Sequence, residues 1–392
     1  MGSFNIKRTI KSNTILLALV AVMLLFQVLI VITDNGSLFA PGNITNLINQ
    51  NAYVVVLATG MLMCILTGGN IDLSVGSIVA FVGAIGGHLI VNMHAPIYVS
   101  IFLCLVVGIL IGAWHGMWIA YVHIPPFIVT LAGMLLWRGA ALIVLNGLTI
   151  SPMPDKYLAL FNSFIPNKAP DDVRFAVTMV IAAVCCAIYI AVSLASRAAK
   201  AKKGYEVPSM GAFLAKIILL SAVIMVVASL LGQDQGLPLI LVIVAVIVSI
   251  YAYYTKNTVS GRHLYALGGN AKAAQLSGVN TDRVMFFAYT NMGFLSAVAA
   301  LICVARFNSA APTAGTNYEM DAISSCFIGG ASAYGGTGTV SGAVIGAIFM
   351  GVLNNGMSIL GIDSNWQKAV KGLVLLLAVL FDVMSKKRKS SK

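Results

Sequence analysis

Long runs of apolar residues alternate with short polar segments along almost the whole chain. A helix that crosses the hydrocarbon layer of a bilayer needs about 20 consecutive, mostly apolar residues. By that criterion the pattern predicts eleven or twelve membrane-crossing segments, near residues 14–33, 51–67, 75–93, 97–121, 127–146, 173–194, 211–231, 237–254, 285–304, 321–334, 340–356 and 367–384. Because the run at 321–334 is too short to cross comfortably, we expect a re-entrant or broken helix there.

The composition is that of a membrane protein. Hydrophobic residues make up 59% of the chain and charged residues only 9%, whereas a soluble domain has about 25% charged residues. We therefore expect an all-α, polytopic membrane protein with ten to twelve transmembrane helices in one domain. Its predicted parts are a first helical half at 14–146, further spans and loops at 147–257, a cytoplasmic loop at 256–284, a second helical half at 285–384 and a basic tail at 385–392.

The net charge of +12 does not indicate nucleic-acid binding, because the basic residues are clustered between apolar runs. Cytoplasmic loops of membrane proteins carry an excess of Lys and Arg. If the N-terminus is cytoplasmic and twelve segments cross, all four clusters lie inside, which predicts that both termini are cytoplasmic. The clusters are Lys7, Arg8 and Lys11; Arg197, Lys200, Lys202 and Lys203; Lys256, Arg262, Lys272 and Arg283; and Lys386, Lys387, Arg388, Lys389 and Lys392.

The sequence has no pattern that indicates catalysis or a bound metal. All six cysteines lie within apolar stretches and lack the spacings of metal sites. The sequence also lacks a nucleophile beside a base and a phosphate-binding loop of the form GxxxxGKS or GxxxxGKT. We expect a chain without catalytic residues, metal or cofactor, which does not itself hydrolyse ATP.

The segment GGNIDLSVGS at 68–77 places two glycines, an amide and a carboxylate between two long apolar runs. A charged side chain within a membrane protein costs about 2.5 kcal/mol or more unless it faces the bundle interior or an aqueous cavity. Backbone loosened by glycine at that depth must likewise be surrounded by protein or water. Asp72 is therefore predicted to lie on a polar route through the membrane.

A weak internal repeat supports this interpretation. Gly68 and Gly69 are followed by Ser74 and Ala80, and Gly335 and Gly336 by Ser341 and Ala347 at the same spacing. Glycine-interrupted segments at corresponding places in two halves often mark a central transport pathway. Close packing of helices through small residues explains the same pattern equally well, and both interpretations can hold together.

The cytoplasmic loop contains AKAAQLSG, a short helix of small residues that Gly278 is expected to end in a left-handed conformation. Thr281 is then placed to cap the next helix. Such a helix on the inner face could bind a cytoplasmic partner. A plain solvated loop that obeys the positive-inside rule is the alternative.

Four motifs together resemble the permease subunits of bacterial ABC transporters for monosaccharides. They are GGNIDLSVGS, IPPFIVTLAGMLLWRG at 124–139, GRHLYALGGNAKAAQLSGV at 261–279 and GGASAYGGTGTVSGAVIGA at 329–347. They occur in the family's order and cover nearly the whole chain. The additional apolar block near 173–231 is similar to the xylose-type and multiple-monosaccharide permeases and is absent from the shorter ribose type.

The resemblance implies a type II ABC-importer-like permease bundle in the bacterial plasma (inner) membrane. It implies a second copy of the permease, an extracytoplasmic sugar-binding protein and an ATPase that carries two nucleotide-binding domains, with ATP and Mg on that partner only. Membrane lipid surrounds the bundle. The segment similar to the family's coupling loop, which docks into the ATPase, is Ala273, Ala274, Gln275, Leu276, Ser277 and Gly278.

A pathway for a neutral sugar needs hydroxyl partners and flat apolar faces. Phe127 and Trp137 are candidates for the faces. Arg138 is expected to pair with a carboxylate or to extend towards the interface. Candidate hydroxyl partners, each of which could instead only link two helices, are Gln50, Asn51, Asn70, Asp72, Ser74, Asn146, Asp321, Ser324, Ser325, Asn354 and Asn355.

The resemblance implies ATP-driven import of a pentose such as xylose or of a hexose such as galactose or glucose. Without the resemblance, the sequence is also compatible with two other functions. One is an ion- or proton-coupled secondary transporter in which Asp72 carries the proton, and the other is a passive channel.

Overall fold

A computed structural model describes residues 14–205, 207 and 209–390. The basic residues Lys7, Arg8, Lys11 and Lys392 of the predicted clusters lie outside that range. The described chain is almost entirely helical, with two short strands, β1 (Phe164–Ile165) and β2 (Leu237–Pro238). Its helices are α1 (Thr14–Ile32), α2 (Pro41–Leu66), α3 (Val75–Gly87), α4 (Ile97–Ala120), α5 (Pro126–Leu145), α6 (Asp155–Asn162), α7 (Asp171–Lys202), α8 (Met210–Gln233), α9 (Leu239–Asn257), α10 (Val259–Gly269), α11 (Ala271–Leu276), α12 (Thr281–Phe307), α13 (Tyr318–Ile328), α14 (Val340–Ile359) and α15 (Ser364–Ser390).

In the described part of the chain, ten helices are long and apolar enough to cross a membrane. They are α1 to α5, with α3 prolonged by a π-helical turn at His88–Asn92, and α7, α8, α9, α12 and α14. This confirms the all-α, polytopic class. The predicted runs at 321–334 and 367–384 are not among the ten. α13 has only 11 residues, and α15 carries Lys368, Lys371 and Asp382 within or beside its apolar run.

The segment around α13 is a broken crossing rather than a re-entrant one. Arg306, at the end of α12, lines a cavity together with Gly42 at the start of α2. The N–H of Gly336 donates to the carbonyl oxygen of Leu66, at the end of α2, at 3.1 Å. Because α2 is 26 residues long, or about 39 Å, the chain between Arg306 and Gly336 passes from one end of the bundle to the other. α13 covers only part of that distance.

Helices α2 and α12 form the centre of the bundle. In their most apolar stretches 83% and 72% of the residues are buried, against 11% to 17% in α1, α7, α8 and α9. α12 approaches α4 closely because Gly293 lies against the backbone of Gly108 and Gly112, where a Cβ would collide. Apart from Asn46, which is exposed, the polar residues of α2 are therefore buried or half-buried within the protein.

The long helices α7 and α8 form an antiparallel hairpin at the edge of the bundle. They pack chiefly on each other, and the hairpin joins the rest through α8 and α2 and through β1, which pairs with β2. This hairpin corresponds to the additional apolar block near 173–231. The hairpin has few contacts with the other helices, which is consistent with a unit added at the edge of the bundle.

Candidate functional site

Three glycine pairs meet where α2 ends, and we call this place the glycine junction: Gly68 with Gly69, Gly268 with Gly269, and Gly335 with Gly336. A Cβ added to Gly335 would collide with the backbone of Gly68, and one added to Gly336 would meet that of Gly268 and Gly269. Gly69, Gly335 and Gly336 have φ angles of 76°, 79° and 69°, which favour glycine. The two glycine pairs of the internal repeat are thus in direct contact.

Asp72 lies fully buried beside this junction. Its Oδ1 accepts hydrogen bonds from the backbone N–H of Ser74 at 2.8 Å and from the Ser74 hydroxyl at 2.5 Å. Ser74 is the residue that precedes α3, so the carboxylate lies near the positive end of that helix. Its Oδ2 has no hydrogen-bond partner among the described residues. Asp72 therefore shapes the start of α3 and keeps one oxygen available for a further donor.

Asn70 is half-buried on the same loop. Its amide donates to the Thr67 hydroxyl at 3.1 Å and approaches the sulfur of Met285 at 3.9 Å. Thr67 in turn donates to the carbonyl oxygen of Cys64 at 2.7 Å. Of the sequence candidates, the structure thus brings Asn70, Asp72 and Ser74 together on one short loop.

A second polar cluster joins α13 to α15 and α2. The Nζ of Lys371 lies 2.9 Å from Oδ1 of Asp321, and the hydroxyl of Tyr53 donates to Oδ2 at 3.4 Å. Asp321 is only 2% exposed. Ser325 donates to the backbone carbonyl of Asp321 at 2.6 Å, while the buried Ser324 hydroxyl has no partner among the described residues. Lys371 and Tyr53 were not predicted.

Asparagine side chains link α2 to α14. Asn355 and Asn43 exchange two hydrogen bonds of 3.0 Å, and Asn51 donates to the carbonyl oxygen of Ala347 at 2.7 Å. The buried Oδ1 atoms of Asn51 and Asn354 have no partner in the described structure, and Gln50 is half-buried. These contacts hold the two helices together and leave two acceptors available.

Trp137 belongs to an aromatic cluster. Its indole N–H donates to Nε2 of the fully buried His115 at 3.2 Å, and its ring stacks on Phe81 at 5.4 Å. Arg138 donates to the carbonyl oxygens of Pro312 and Ala314 at 3.3 and 2.6 Å. Its guanidinium therefore binds backbone acceptors in the loop before α13, and the carboxylate of Glu319 is near enough to interact with it electrostatically.

Phe127 and Asn146 lie at opposite ends of α5. Phe127 is 54% exposed at its start, and Asn146 is exposed at its end, where it adopts a left-handed conformation with φ of 49°. α5 has 20 residues, so about 30 Å separate them. One sugar cannot contact both.

An open cavity of about 340 Å³ lies at the other end of α2, and we call it the outer cavity. Phe161 and Phe164 supply aromatic rings. Its polar lining comprises Thr45, Asn46, Asn49, Asn162, Asp234, Gln235 and Arg306. Sequence reasoning missed this group. The signal was the spacing of Asn46 and Asn49, which places two amides one turn apart on the same side of a helix.

The predicted coupling segment forms the short helix α11 and the turn after it. The Asn270 side chain accepts from the N–H of Ala273 at 2.9 Å, and Gly278 has the expected positive φ, 84°. Leu276 is 84% exposed. The residue that caps α12 is Asn280, which accepts from the N–H of Arg283 at 2.9 Å, and not Thr281, because the helix already begins at Thr281.

α10 connects this segment to the glycine junction. Gly268 and Gly269 at its end belong to the junction, and Tyr265 donates its hydroxyl to the carbonyl oxygen of Gly338 at 3.0 Å. Burial raises the pKa of Tyr265, so the phenol stays protonated and remains a donor at neutral pH. α10 therefore contacts both the end of α2 and the loop that contains Gly335 and Gly336.

Known permease proteins are similar to this chain over nearly its full length. The family model described as branched-chain amino acid transport system, permease component, matches residues 43–379. The chain is 35% identical to the xylose transport system permease protein XylH of Escherichia coli (strain K12), over 95% of this chain and 91% of that protein. It is 32% identical to the ribose import permease protein RbsC of the same strain, over 92% of each chain. No solved structure matches.

Proposed function

This chain belongs to the family of transport-system permease components, and from that premise we propose that it carries a monosaccharide, xylose or a related pentose or hexose, in an ATP-driven importer. The observation that carries the proposal is the similarity to xylose permeases over 95% of the chain. The chain is a transport subunit and not an enzyme. Family membership favours an ABC importer over the proton-coupled carrier and the passive channel.

The proposed partners are a second permease copy, an ATPase that binds ATP and Mg, and an extracytoplasmic sugar-binding protein. We assign ATPase docking to α11 and Gly278. The exposure of Leu276, 84%, supports this assignment, because large apolar side chains at a solvated turn are well placed to enter a partner's groove. α10 would then relay the motion of the ATPase to the glycine junction.

The proposed sugar route begins at the outer cavity and ends at the glycine junction. The phenylalanine rings of the outer cavity can lie against the apolar face of a sugar, and its amides, Asp234 and Arg306 can bind hydroxyl groups. At the other end of α2, Asp72 offers a buried oxygen without a partner among the described residues. The asparagines of α2 and α14 lie between these two ends.

We propose that the end with the glycine junction faces the cytoplasm of a bacterial cell and that both termini lie there. Lys256, Arg262 and Lys272 are on the helices at this end, which supports the orientation by the positive-inside rule. Ten spans, the broken crossing and α15 together give twelve crossings. A reporter fused after Lys392 should be active only in the cytoplasm, and activity outside the membrane would reject this orientation.

Reconstitution tests the proposed function. The permease is placed in liposomes with its ATPase and sugar-binding protein and given labelled xylose, ribose, galactose, glucose, arabinose or leucine. We expect sugar-dependent ATP hydrolysis and uptake of at least one sugar, without effect of an uncoupler. Uptake of leucine alone would show an amino acid permease, and uptake that an uncoupler abolishes while ATP stays high would show a proton-coupled carrier.

Asp72→Asn should lower uptake about tenfold or more per folded complex, because hydrogen bonds to a charged group contribute about 1.5 to 3 kcal/mol. Assembly with the ATPase should remain intact. Ser74→Ala is the control, since it removes the hydroxyl donor at 2.5 Å but leaves the carboxylate. A smaller loss is expected there. Full normalised uptake by Asp72→Asn would show that the route does not need this carboxylate.

Gly278→Val should uncouple ATP hydrolysis from sugar uptake. A β-branched residue resists the φ of 84° at this position, and a left-handed conformation costs about 1 to 2 kcal/mol, so the turn after α11 should change shape. Gly204→Val is the matched control, because Gly204 has φ of 73° and equally open surroundings in another loop. Sugar-stimulated ATPase activity should fall several-fold in Gly278→Val only. Unchanged activity with normal insertion would contradict the coupling assignment.

A further inference from the structure

The α7–α8 hairpin contains a cavity of about 460 Å³ in the seam between its two helices. Three cationic side chains line it: Arg197 and Lys200 near the end of α7, and Lys216 near the start of α8. The remaining lining includes Tyr189, Val192, Val207, Phe213 and Ile217, and none of the described lining residues is acidic. The cavity thus combines three positive charges with an otherwise largely apolar lining.

A second, larger cavity of about 700 Å³ follows along the same hairpin. Its α7 residues are Thr178, Ile181, Ala182 and Cys185. Tyr189 follows Cys185 after four residues and Val192 after seven, so helical spacing places them on the same face of α7. Residues of α8 and α9 complete the lining, which is almost entirely apolar. An apolar groove therefore continues from the basic cavity towards the opposite end of the hairpin.

The groove is long enough to hold an acyl chain of one leaflet. Nineteen positions separate Thr178 from Arg197, which is about 28 Å along a helix. The hydrocarbon layer is about 30 Å thick, so half of it is about 15 Å. A lipid whose phosphate lies beside Arg197 would therefore place its acyl chain along the apolar part.

Arg197 packs on the lining of the cavity, and Lys216 can reach the interface. The guanidinium carbon of Arg197 lies 4.9 Å from the centre of the Phe213 ring, a distance at which cation and ring attract each other. Lys216 lies six residues into α8, about 9 Å from the helix start, and its long side chain can extend towards the interface. Three cations from two helices can then meet one anionic group.

We propose that the hairpin binds an anionic phospholipid, with its phosphate at Arg197, Lys200 and Lys216 and an acyl chain in the adjoining groove. Basic pockets between transmembrane helices favour anionic headgroups in this way. The site is independent of the substrate that the permease carries. It gives the hairpin a role that its small contact with the bundle does not otherwise explain, because a bound lipid fills the cavities between α7, α8 and α9.

Native mass spectrometry of the full-length permease in neutral detergent tests the proposal. The protein is titrated separately with phosphatidylglycerol, phosphatidylcholine and inorganic phosphate. We expect phosphatidylglycerol to bind at least tenfold more tightly than phosphatidylcholine. Inorganic phosphate should bind weakly and should not displace phosphatidylglycerol. Arg197→Gln/Lys200→Gln/Lys216→Gln should lose that preference. The control Lys202→Gln/Lys203→Gln/Lys256→Gln removes the same charge outside the cavity and should keep it.

Folding of each variant is checked by its elution as a single species and by its helical circular dichroism. If the cavity variant is unstable, Lys216→Gln alone is used, because Lys216 is exposed, and a loss of about threefold or more is expected. Equal loss in the cavity and control variants would show diffuse charge attraction and overturn the site. Equal binding of the two lipids by the natural protein, or displacement of phosphatidylglycerol by phosphate, would also overturn it.

Discussion

Lys371→Met is expected to lower the free energy of unfolding by about 3 to 5 kcal/mol, because it leaves the carboxylate of Asp321 buried and unpaired. In the structure the two charges lie 2.9 Å apart, and the side chain of Asp321 is 3% exposed. After the substitution the carboxylate would keep only the Tyr53 hydroxyl at 3.4 Å. The loss is measured as the shift in unfolding of the purified permease in detergent, with folded yield in the membrane as a second readout.

A double variant separates the ion pair from simple packing. Asp321→Asn/Lys371→Met removes both charges and should recover most of the stability, because replacing a whole buried pair is often neutral. Lys368→Met removes an exposed lysine one turn earlier on α15 and should change stability by no more than about 0.5 kcal/mol. Equal effects of the two lysine substitutions would show that the ion pair does not hold α15 to α13.

The membrane-crossing helices could be predicted from the sequence because each depends on one continuous run of apolar residues. Each apolar run is long enough to be recognised alone, and the ten qualifying helices all correspond to predicted runs. Two predicted runs, 321–334 and 367–384, are not among the ten. The first was foreseeable as an exception, since its length excludes a straight crossing. The sequence did not show whether this segment crosses the bundle or re-enters it. That depends on the contact between Gly336 and Leu66, which are 270 residues apart in the sequence.

The partners of the polar residues depend on tertiary packing and could not be read from spacing. Lys371 meets Asp321 across 50 residues, and Trp137 meets His115 across 22. A signal for Lys371 was present, since a lysine beside the apolar run of α15 calls for a buried partner as much as Asp72 does. Nothing in the sequence distinguished Asp321 from the other carboxylates as that partner.

The hydrogen bonds between Ser74 and Asp72 add a structural role to the one that the sequence predicted for Asp72. Its position between glycines predicted a polar route, and the structure adds that one oxygen already accepts two hydrogen bonds from Ser74. In the proposed sugar route, a structural and a transport role would share one carboxylate. The spacing of Asp72 and Ser74 before an apolar helix is typical of a side chain that binds nearby backbone N–H groups, so this part was predictable from sequence.

Gly335→Ala is expected to destabilise the permease by about 2 to 5 kcal/mol and to abolish most uptake. A left-handed conformation costs an alanine about 1 to 2 kcal/mol, and Gly335 has φ of 79°. The new methyl group would also collide with the backbone of Gly68, and forcing packed groups apart typically costs about 1 to 3 kcal/mol more. Both glycine loops would have to separate, which disturbs the loop that carries Asp72.

Gly361→Ala provides the matched control for this prediction. Gly361 has φ of 70°, and its surroundings are open, with nothing within 4 Å of an added Cβ. It should therefore show the conformational cost alone, about 1 to 2 kcal/mol, and nearly normal uptake per folded protein. Unfolding in detergent and uptake in liposomes are measured for both variants. If Gly335→Ala behaves like Gly361→Ala in both assays, close contact at the glycine junction contributes nothing to stability or transport beyond the φ angle.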